Sequence, residues 1–359
     1  MTPSMTSRER VTAAFGHRQP DRTPIFEYVL LSPVADAILG RPFVQEETLW
    51  PRVVAELGWE AAVRQEAVDR LELALRLGHD LIYCVPSCIP GAEPPAEEAH
   101  GEPADDPVEA VRARNAARRA DPQYLPDQRF DVFRFLREEM DRRGVDLVMV
   151  VPTYDHGIWT DIDLMQTMLM DPDVAHEHFA LATARSLAHL EKYLEAGCDV
   201  VGVGGDFAGN RPLISREMYR EFIVPEVAKV SRRAHEAGKL AINASDGHLW
   251  PVIEDFLFGC EADGYIEIDL HAGMDLGRLK RLYGDRTTLL GNMDCGNLLS
   301  FGTPDEVARA TVECIDAGWG DGGHILTASN AITASVPVAN YLAMVNAYRG
   351  RFDMKRLEF

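Results

Sequence analysis

Six cysteines in 359 residues is few, and none stands in a Cys-x-x-Cys pair. Cys84, Cys88, Cys198, Cys260, Cys295 and Cys314 therefore read as free thiols of a reducing compartment, not as a disulfide framework. Positive charge is scarce too. Against 57 Asp and Glu there are 36 Lys and Arg, a formal net charge of -21. A surface so acidic repels phosphate backbones, which excludes nucleic acid as a partner. No run approaches the roughly 18 apolar residues that a membrane span needs. The opening MTPSMTSRERVTAAF has no apolar run after its charges, which argues against a secretory leader and for a cytoplasmic protein. Also lacking are a Gly-x-Ser-x-Gly elbow, a Lys-Ser/Thr P-loop and a His-Glu-x-x-His pair, so neither a serine hydrolase nor a P-loop enzyme nor a short-spaced zinc protease fits.

What is present is alternation. Short apolar runs rich in β-branched residues are separated by longer amphipathic segments, as in βα units around a parallel sheet. Eight strands are expected: Thr23–Val29, Leu81–Pro86, Leu147–Tyr154, Asp199–Phe207, Lys239–Ser245, Ala262–Asp269, Thr287–Asp294 and His324–Ser329. Most are continuously apolar, as strands buried on both faces must be. Eight strands with intervening helices predict an α/β fold, a single (β/α)8 TIM barrel spanning residues 1–359 as one domain. A doubly wound open sheet is the alternative. Thr6 and Glu9 form a capping box for an N-terminal helical extension that would cover the barrel bottom. Thr303, Pro304 and Glu306 mark another helix start, Ser215 is a candidate cap, and Gly197, Gly238 and Gly284 are expected as left-handed helix ends. Residues 87–130 form a long insertion after the second expected strand, Pro- and Glu-rich and then Arg-rich; on the active-site face a loop of that size is usually functional or mobile.

Barrel enzymes take their chemistry from strand C-termini. At those ends stand Glu27 and Tyr28; Ser87 and Cys88; Tyr154, Asp155 and His156; Asp206, Asn210 and Arg211; Asn243, Ser245, Asp246 and His248; Glu267, Asp269 and His271; Asn292, Asp294 and Cys295; and Thr327, Ser329 and Asn330. Any one Asp or Ser after a strand is more often a helix cap than a catalyst, and Asp246 could simply cap the next helix. The convergence of Asp155, Asp206, Asp246 and Asp269 with histidines is harder to assign to capping. Packed like charges raise one another's pKa, and such a set can hold a metal, bind a cation or transfer protons. Asp155, His156, Asp206, Asp246 and His248 are the expected catalytic group. Glu27, Tyr154, Arg211, Asn243, Asp269 and Asn330 are the expected substrate contacts. A tetrahedral metal set of Asp246, His248, Asp269 and Cys295 is an alternative. The glycines of Gly202-Val203-Gly204-Gly205 read as places of close approach rather than as a phosphate cradle.

Several segments carry a resemblance. SRERVTAAFGHRQPDRTPI (Ser7–Ile25), GGDFAGNRPLISREMYREFIVP (Gly204–Pro225), SDGHLWPVIEDF, AGMDLGRLKRLYGDR, LLGNMDC and GGHILTASNAITASVPVANYLAMV (Gly322–Val345) are similar to the uroporphyrinogen decarboxylase superfamily, and in particular to its corrinoid-linked methyltransferase branch. The resemblance covers nearly all of the chain except 87–130 and implies the barrel already expected. It also implies a small-molecule substrate, no tightly bound cofactor, a corrinoid carried on a partner protein, and pairing into a homodimer as members of the family often do. The haem-pathway decarboxylases carry an arginine-rich RQAGR-type segment near the N-terminus for substrate carboxylates. Here the first expected strand has Glu27 and no arginine. Zinc members of the methyltransferase branch use His-x-Cys after the fifth strand and Cys after the eighth. By position those sites are Ala244, Asp246 and Asn330, so zinc is left open. The resemblance thus implies methyl transfer first and decarboxylation second, with Arg211 as a carboxylate clamp; a non-catalytic ligand-binding barrel is the reading from another class.

Overall fold

The computed structural model describes residues 5–91, 103–122 and 125–358. Seven parallel strands lie in sequence order in one curled, TIM-barrel-like sheet: β1 (Leu81–Tyr83), β2 (Val148–Pro152), β3 (Val200–Gly204), β4 (Leu240–Ala244), β5 (Gly264–Ile266), β6 (Thr288–Leu290) and β7 (His324–Ile325). Register is carried from strand to strand, with Gly204 beside Ala244, and Ala244 beside Ile266. These are seven of the eight expected strands, each shorter than its apolar run.

The first expected strand, Thr23–Val29, does not form as a strand. It makes one isolated bridge, Ile25 with Leu326, and Leu30 just beyond it makes another with Ile332. Pro24 has no N–H to give a ladder. The segment still reaches both ends of the sheet. Asp80 N–H donates to the Ile25 carbonyl (2.8 Å), and Phe26 N–H donates to that of Leu326 (3.2 Å).

Alternation sorts the strand residues into two layers. Leu81, Val148, Val150, Val200, Ile242, Ile266, Leu290 and Ile325 fill the interior with Phe26. Met149, Val151, Val201, Val203, Ala241, Tyr265 and Leu289 pack outward, against the helices. Burying each Val, Leu or Ile contributes about 1.5–3 kcal/mol. The helix Ser7–Phe15 starts at the expected Thr6–Glu9 capping box and sends Val11 and Ala14 into the interior core. It is tied down by fully buried Asp80, which accepts from Arg10 (2.6 Å), Arg22 (2.8 Å) and Ser7 (2.9 Å).

Other local expectations meet mixed outcomes. Thr303 and Ser215 cap the helices that follow them. Gly197 and Gly238 are left-handed (φ 80° and 70°), but Gly284 is not (φ -68°). The Gly284 carbonyl meets His17 Nδ1 at 3.0 Å, a tertiary contact that replaces the left-handed cap. Within the 87–130 insertion the described part includes the helix Pro107–Ala120, capped by Asp106; residues 92–102 and 123–124 lie outside the described residues. No described helix is long and apolar enough to cross a membrane.

Candidate active site

The strand C-termini form a mouth around which the expected residues divide into three groups. The first faces inward. Asp206 follows β3 and accepts from the backbone N–H of Asp246 through Oδ1 (2.8 Å). Asp246 follows β4, and its Oδ2 accepts from Asn330 Nδ2 (2.7 Å). Its carboxylate therefore bonds across the mouth and caps no helix. Burial pushes the Asp246 carboxyl up to about 7, the charges of Asp206 and Asp269 add to that, and the Asn330 hydrogen bond works against it. Burial likewise raises Asp206, with Asp155 adding and the Asp246 N–H opposing. Among the described residues no Lys or Arg forms an ion pair with Asp206 or Asp246. Charge repulsion inside a poorly solvated mouth is what lifts these pKa values.

The second group supports the loops. Asp155 Oδ1 accepts from Gly157 N–H (2.8 Å), and its carboxyl lies against Gly205. A Cβ on Gly205 would sit 2.1 Å from Asp155 Oδ1, and φ there is +115°, so close approach is the role of this glycine. Asp269 takes the N–H groups of His271 (2.9 Å), Ala272 (3.1 Å) and Gly247 (3.3 Å). His248 Nδ1 meets the Ala272 carbonyl at 2.8 Å. Asp294 caps the turn Cys295–Leu299 and meets His271 Nε2 at 2.7 Å. Burial raises the Asp294 carboxyl, but the His271 bond and two backbone N–H groups win and hold it below the usual range. Bland capping thus accounts for Asp269 and Asp294, and for neither Asp206 nor Asp246. Arg211 is exposed beyond β3.

The third group lies behind the strands. Tyr154 is buried in the strand–helix core. Asn243 is fully buried and donates to the Phe256 carbonyl (2.9 Å). Glu27 accepts from Ala328 N–H (3.2 Å) and Thr327 Oγ1 (3.3 Å), beside Phe43, Arg70 and His79 of the outer layer. Burial pushes Glu27 up to about 8. Strand parity explains these placements: Ile25 and Glu27 share the outer face, as do Ala241 and Asn243. Expected as substrate contacts, all three instead face the helix layer. His156 is also buried, with its ring 5.9 Å from that of Phe207; burial pushes it down to about 4 although Asp206 opposes this, so it is neutral at pH 7.

One residue named at a strand end but not assigned to the site stands at its centre. Glu267 is 7% exposed and has φ +71°. A left-handed backbone is costly for a side chain with a Cβ and marks stored strain. Its effect is to break parity: Ile266 points inward, Ile268 outward, and Glu267 stays within the field of Asp246, Asp206 and Asp155. Burial first, then those three carboxylates, raise its pKa well above the usual range, against a hydrogen bond from Tyr28. Tyr28 and Tyr83 form an aromatic pair beside it, their centroids 4.6 Å apart. In the segments that follow the strands, Leu31, Trp159, Leu213, Leu270 and Phe301 are exposed.

The metal readings do not assemble. Ala244 offers no ligand atom, and Asp246 and Asn330 are bonded to each other. The alternative set of Asp246, His248, Asp269 and Cys295 is engaged separately, Cys295 Sγ lying 3.4 Å from Ser329 Oγ. Among the described residues no group of three or more His, Cys, Asp and Glu is arranged to hold a metal ion.

Comparison with known proteins agrees with this architecture. A methyltransferase from Methanosarcina mazei shares the fold, with a TM-score of 0.68 over 97% of this chain and 100% of that one, at 19% identity. Uroporphyrinogen decarboxylase of Coxiella burnetii (strain Dugway 5J108-111) is 28% identical over 197 residues, 53% of this chain and 51% of the relative. That of Nitrosospira multiformis is 30% identical over 196 residues, 52% and 50%. The chain spans about half the length of the curated relatives it matches. The profile of the family described as uroporphyrinogen decarboxylase (URO-D) matches residues 161–351, more than half of the chain. Those residues include β3 to β7 and the acidic centre from Asp206 to Asn330, and the chain is a member of the uroporphyrinogen decarboxylase family.

Proposed function

We propose that the protein transfers a methyl group between a small substrate and a corrinoid held on a separate protein, working in the cytoplasm as a single eight-stave barrel domain. The observation that carries this reading is the Asp246 carboxyl, raised to about 7 by burial and by the charges of Asp206 and Asp269 and held at Oδ2 by Asn330. Such a group holds a proton at neutral pH and can give it up. When the methyl leaves, the bond from carbon to oxygen or nitrogen breaks. The electron pair stays on the heteroatom, and Asp246 protonates it. Glu267, its pKa raised by burial and by the neighbouring carboxylates, is a second acid beside the reacting centre, and Tyr28 and Tyr83 wall it. Asp155 and His248 shape the rim, Asp269 holds it, and buried His156 backs it beside Phe207.

A corrinoid would supply the cobalt that exchanges the methyl group. This chain would receive its carrier on the strand-end face, where the exposed apolar side chains Leu31, Trp159, Leu213, Leu270 and Phe301 follow the strands in sequence. The methyltransferase that shares the fold supports this reading. Zinc does not fit Ala244, Asp246 and Asn330, so no step is assigned to it.

Decarboxylation is the second reading, favoured by the named relatives and by exposed Arg211, whose guanidinium suits a carboxylate. The acidic mouth opposes a substrate rich in carboxylates. One assay separates the two. The protein is mixed with cob(I)alamin, standing in for the protein-bound corrinoid, and with methoxylated or methylammonium compounds, and methylcobalamin formation is followed by absorbance. Methylation that Asp246→Asn slows by about 100-fold or more supports methyl transfer. Carbon dioxide release from carboxylates with no methylation overturns it.

A further inference from the structure

We infer that Asn330 is a positioning residue: it holds Asp246 by the Oδ2 oxygen and so reserves Oδ1 as the oxygen that carries and delivers the proton. The inference rests on the reading of Asp246 as the acid. It begins with the orientation of the Asn330 amide. The Oδ1 of Asn330 accepts from the N–H of Ala331 at 2.6 Å. A backbone N–H can only donate, so the amide oxygen must face it, and the amide NH2 must face Asp246. The contact at 2.7 Å is therefore a donation to Oδ2 and cannot be reversed by an amide flip.

This fixes where an acid proton can sit. A protonated carboxyl has one O–H and one carbonyl oxygen, and the carbonyl oxygen is the better acceptor. With Oδ2 taken by a donor, the proton belongs on Oδ1. The backbone leaves little other freedom. Asp246 N–H is held by Asp206 Oδ1 (2.8 Å), Gly247 N–H by Asp269 Oδ2 (3.3 Å), and the Asp246 carbonyl by Ser245 Oγ (3.0 Å). The loop after β4 and the segment after β7 thus meet at one carboxyl oxygen and leave the other for chemistry. A residue that merely filled space between the two loops would leave the electronic state of Asp246 unchanged.

Infrared spectroscopy of the full chain separates these roles without any substrate. At pH 5.5 the difference between wild type and Asp246→Asn isolates the carbonyl stretch of protonated Asp246. In Asn330→Ala that band should move to higher wavenumber, because its carbonyl oxygen loses a donor. Its titration midpoint should rise by about one unit, a tenfold drop in the proton dissociation constant, as expected for losing a hydrogen bond to a charged acceptor. Asn330→Ser, too short to reach Oδ2, should give the same shift and serves if the alanine variant does not fold. A band and midpoint unmoved in either folded variant overturn the inference, as does the absence of any protonated-carboxyl band that Asp246→Asn removes. If the band shifts but no methylcobalamin forms in the turnover assay, the positioning role stands and the methyl-transfer reading falls.

Discussion

Asn330 Nδ2 and Asp246 Oδ2, 2.7 Å apart, join two of the three positions at which zinc-binding relatives of the resembled branch would carry ligands. The third, Ala244, lies beside the interior core. By that resemblance, an acid with its carboxyl raised to about 7 takes the position of a metal-binding cysteine.

That exchange has a cost in stability that can be read against pH. Asp246 has its pKa raised from 3.8 to about 7 on folding. Below about pH 4 both folded and unfolded chains are protonated and the group contributes nothing. Between about 4 and 7 the folded chain holds a proton that the unfolded chain has released, so stability falls as pH rises, and above 7 the whole cost of the buried charge is present. Asp246→Asn removes the charge. It should stabilise the protein by about 1–3 kcal/mol at pH 8.5 and have no such effect below pH 4, with urea unfolding as the measurement. Equal midpoints for wild type and variant at pH 8.5 would show that the carboxylate is not held at a cost.

Glu267 combines charge and strain, and two substitutions separate them. Glu267→Gln removes the charge and keeps the left-handed backbone at φ +71°; Glu267→Gly removes both. The glycine variant should be the more stable of the two by about 1 kcal/mol, the usual relief for a side chain leaving this region. Both should lower turnover. If the glutamine variant matches or exceeds the glycine variant in urea unfolding, the backbone there stores no strain.

The same residue shows where reading from sequence stops. The strands β1 to β7 were legible because parallel strands buried on both faces must be apolar, and Leu147–Tyr154 or His324–Ser329 leave few alternatives. Polar residues at their ends were legible as a set. Which of them face the mouth was not, because parity decides it: Asn243 and Tyr154 fall on the outer side. Glu267, between two isoleucines, falls on the inner side only because its own φ is positive. Nothing in IEID announces that. Pro24 is the reverse case: Thr23–Val29 is expected from its apolar run to be a strand, and the missing N–H of a residue visible in the sequence helps explain why only an isolated bridge forms.

On the rim, His271 pairs with Asp294 at 2.7 Å, and that hydrogen bond raises the His271 pKa. The stabilisation is complete below the unfolded value of about 6.5 and is lost as pH rises through the higher folded value. With His271 58% exposed, solvent screens the pair. His271→Asn should cost less than about 1 kcal/mol at pH 6 and nothing measurable at pH 9, and the loss should shrink in 1 M salt. A cost of equal size at both pH values would point to packing instead of charge.

At the opposite end of the barrel the balance reverses, because Asp80 and Arg10 are shielded from solvent. Asp80 is fully buried and serves Arg10, itself 3% exposed, together with Arg22, Ser7 and the N–H of Ile25. Asp80→Ala leaves the Arg10 guanidinium in the core with only Asp21 and the Met5 carbonyl to face. Removing one partner of a buried ion pair costs about 3–5 kcal/mol, since the remaining charge stays desolvated. The loss should appear in urea unfolding at neutral pH. It should also free the helix Ser7–Phe15, whose amides would exchange with solvent faster than those of the helix Pro304–Gly318. Because Asp80 lies at the start of β1 and the acids lie at the strand ends, the pH dependence carried by Asp246 should survive in the folded fraction. If Asp80→Ala removed that dependence as well, the plug and the mouth would have to be coupled through the barrel interior, and the two ends could no longer be treated as separate problems.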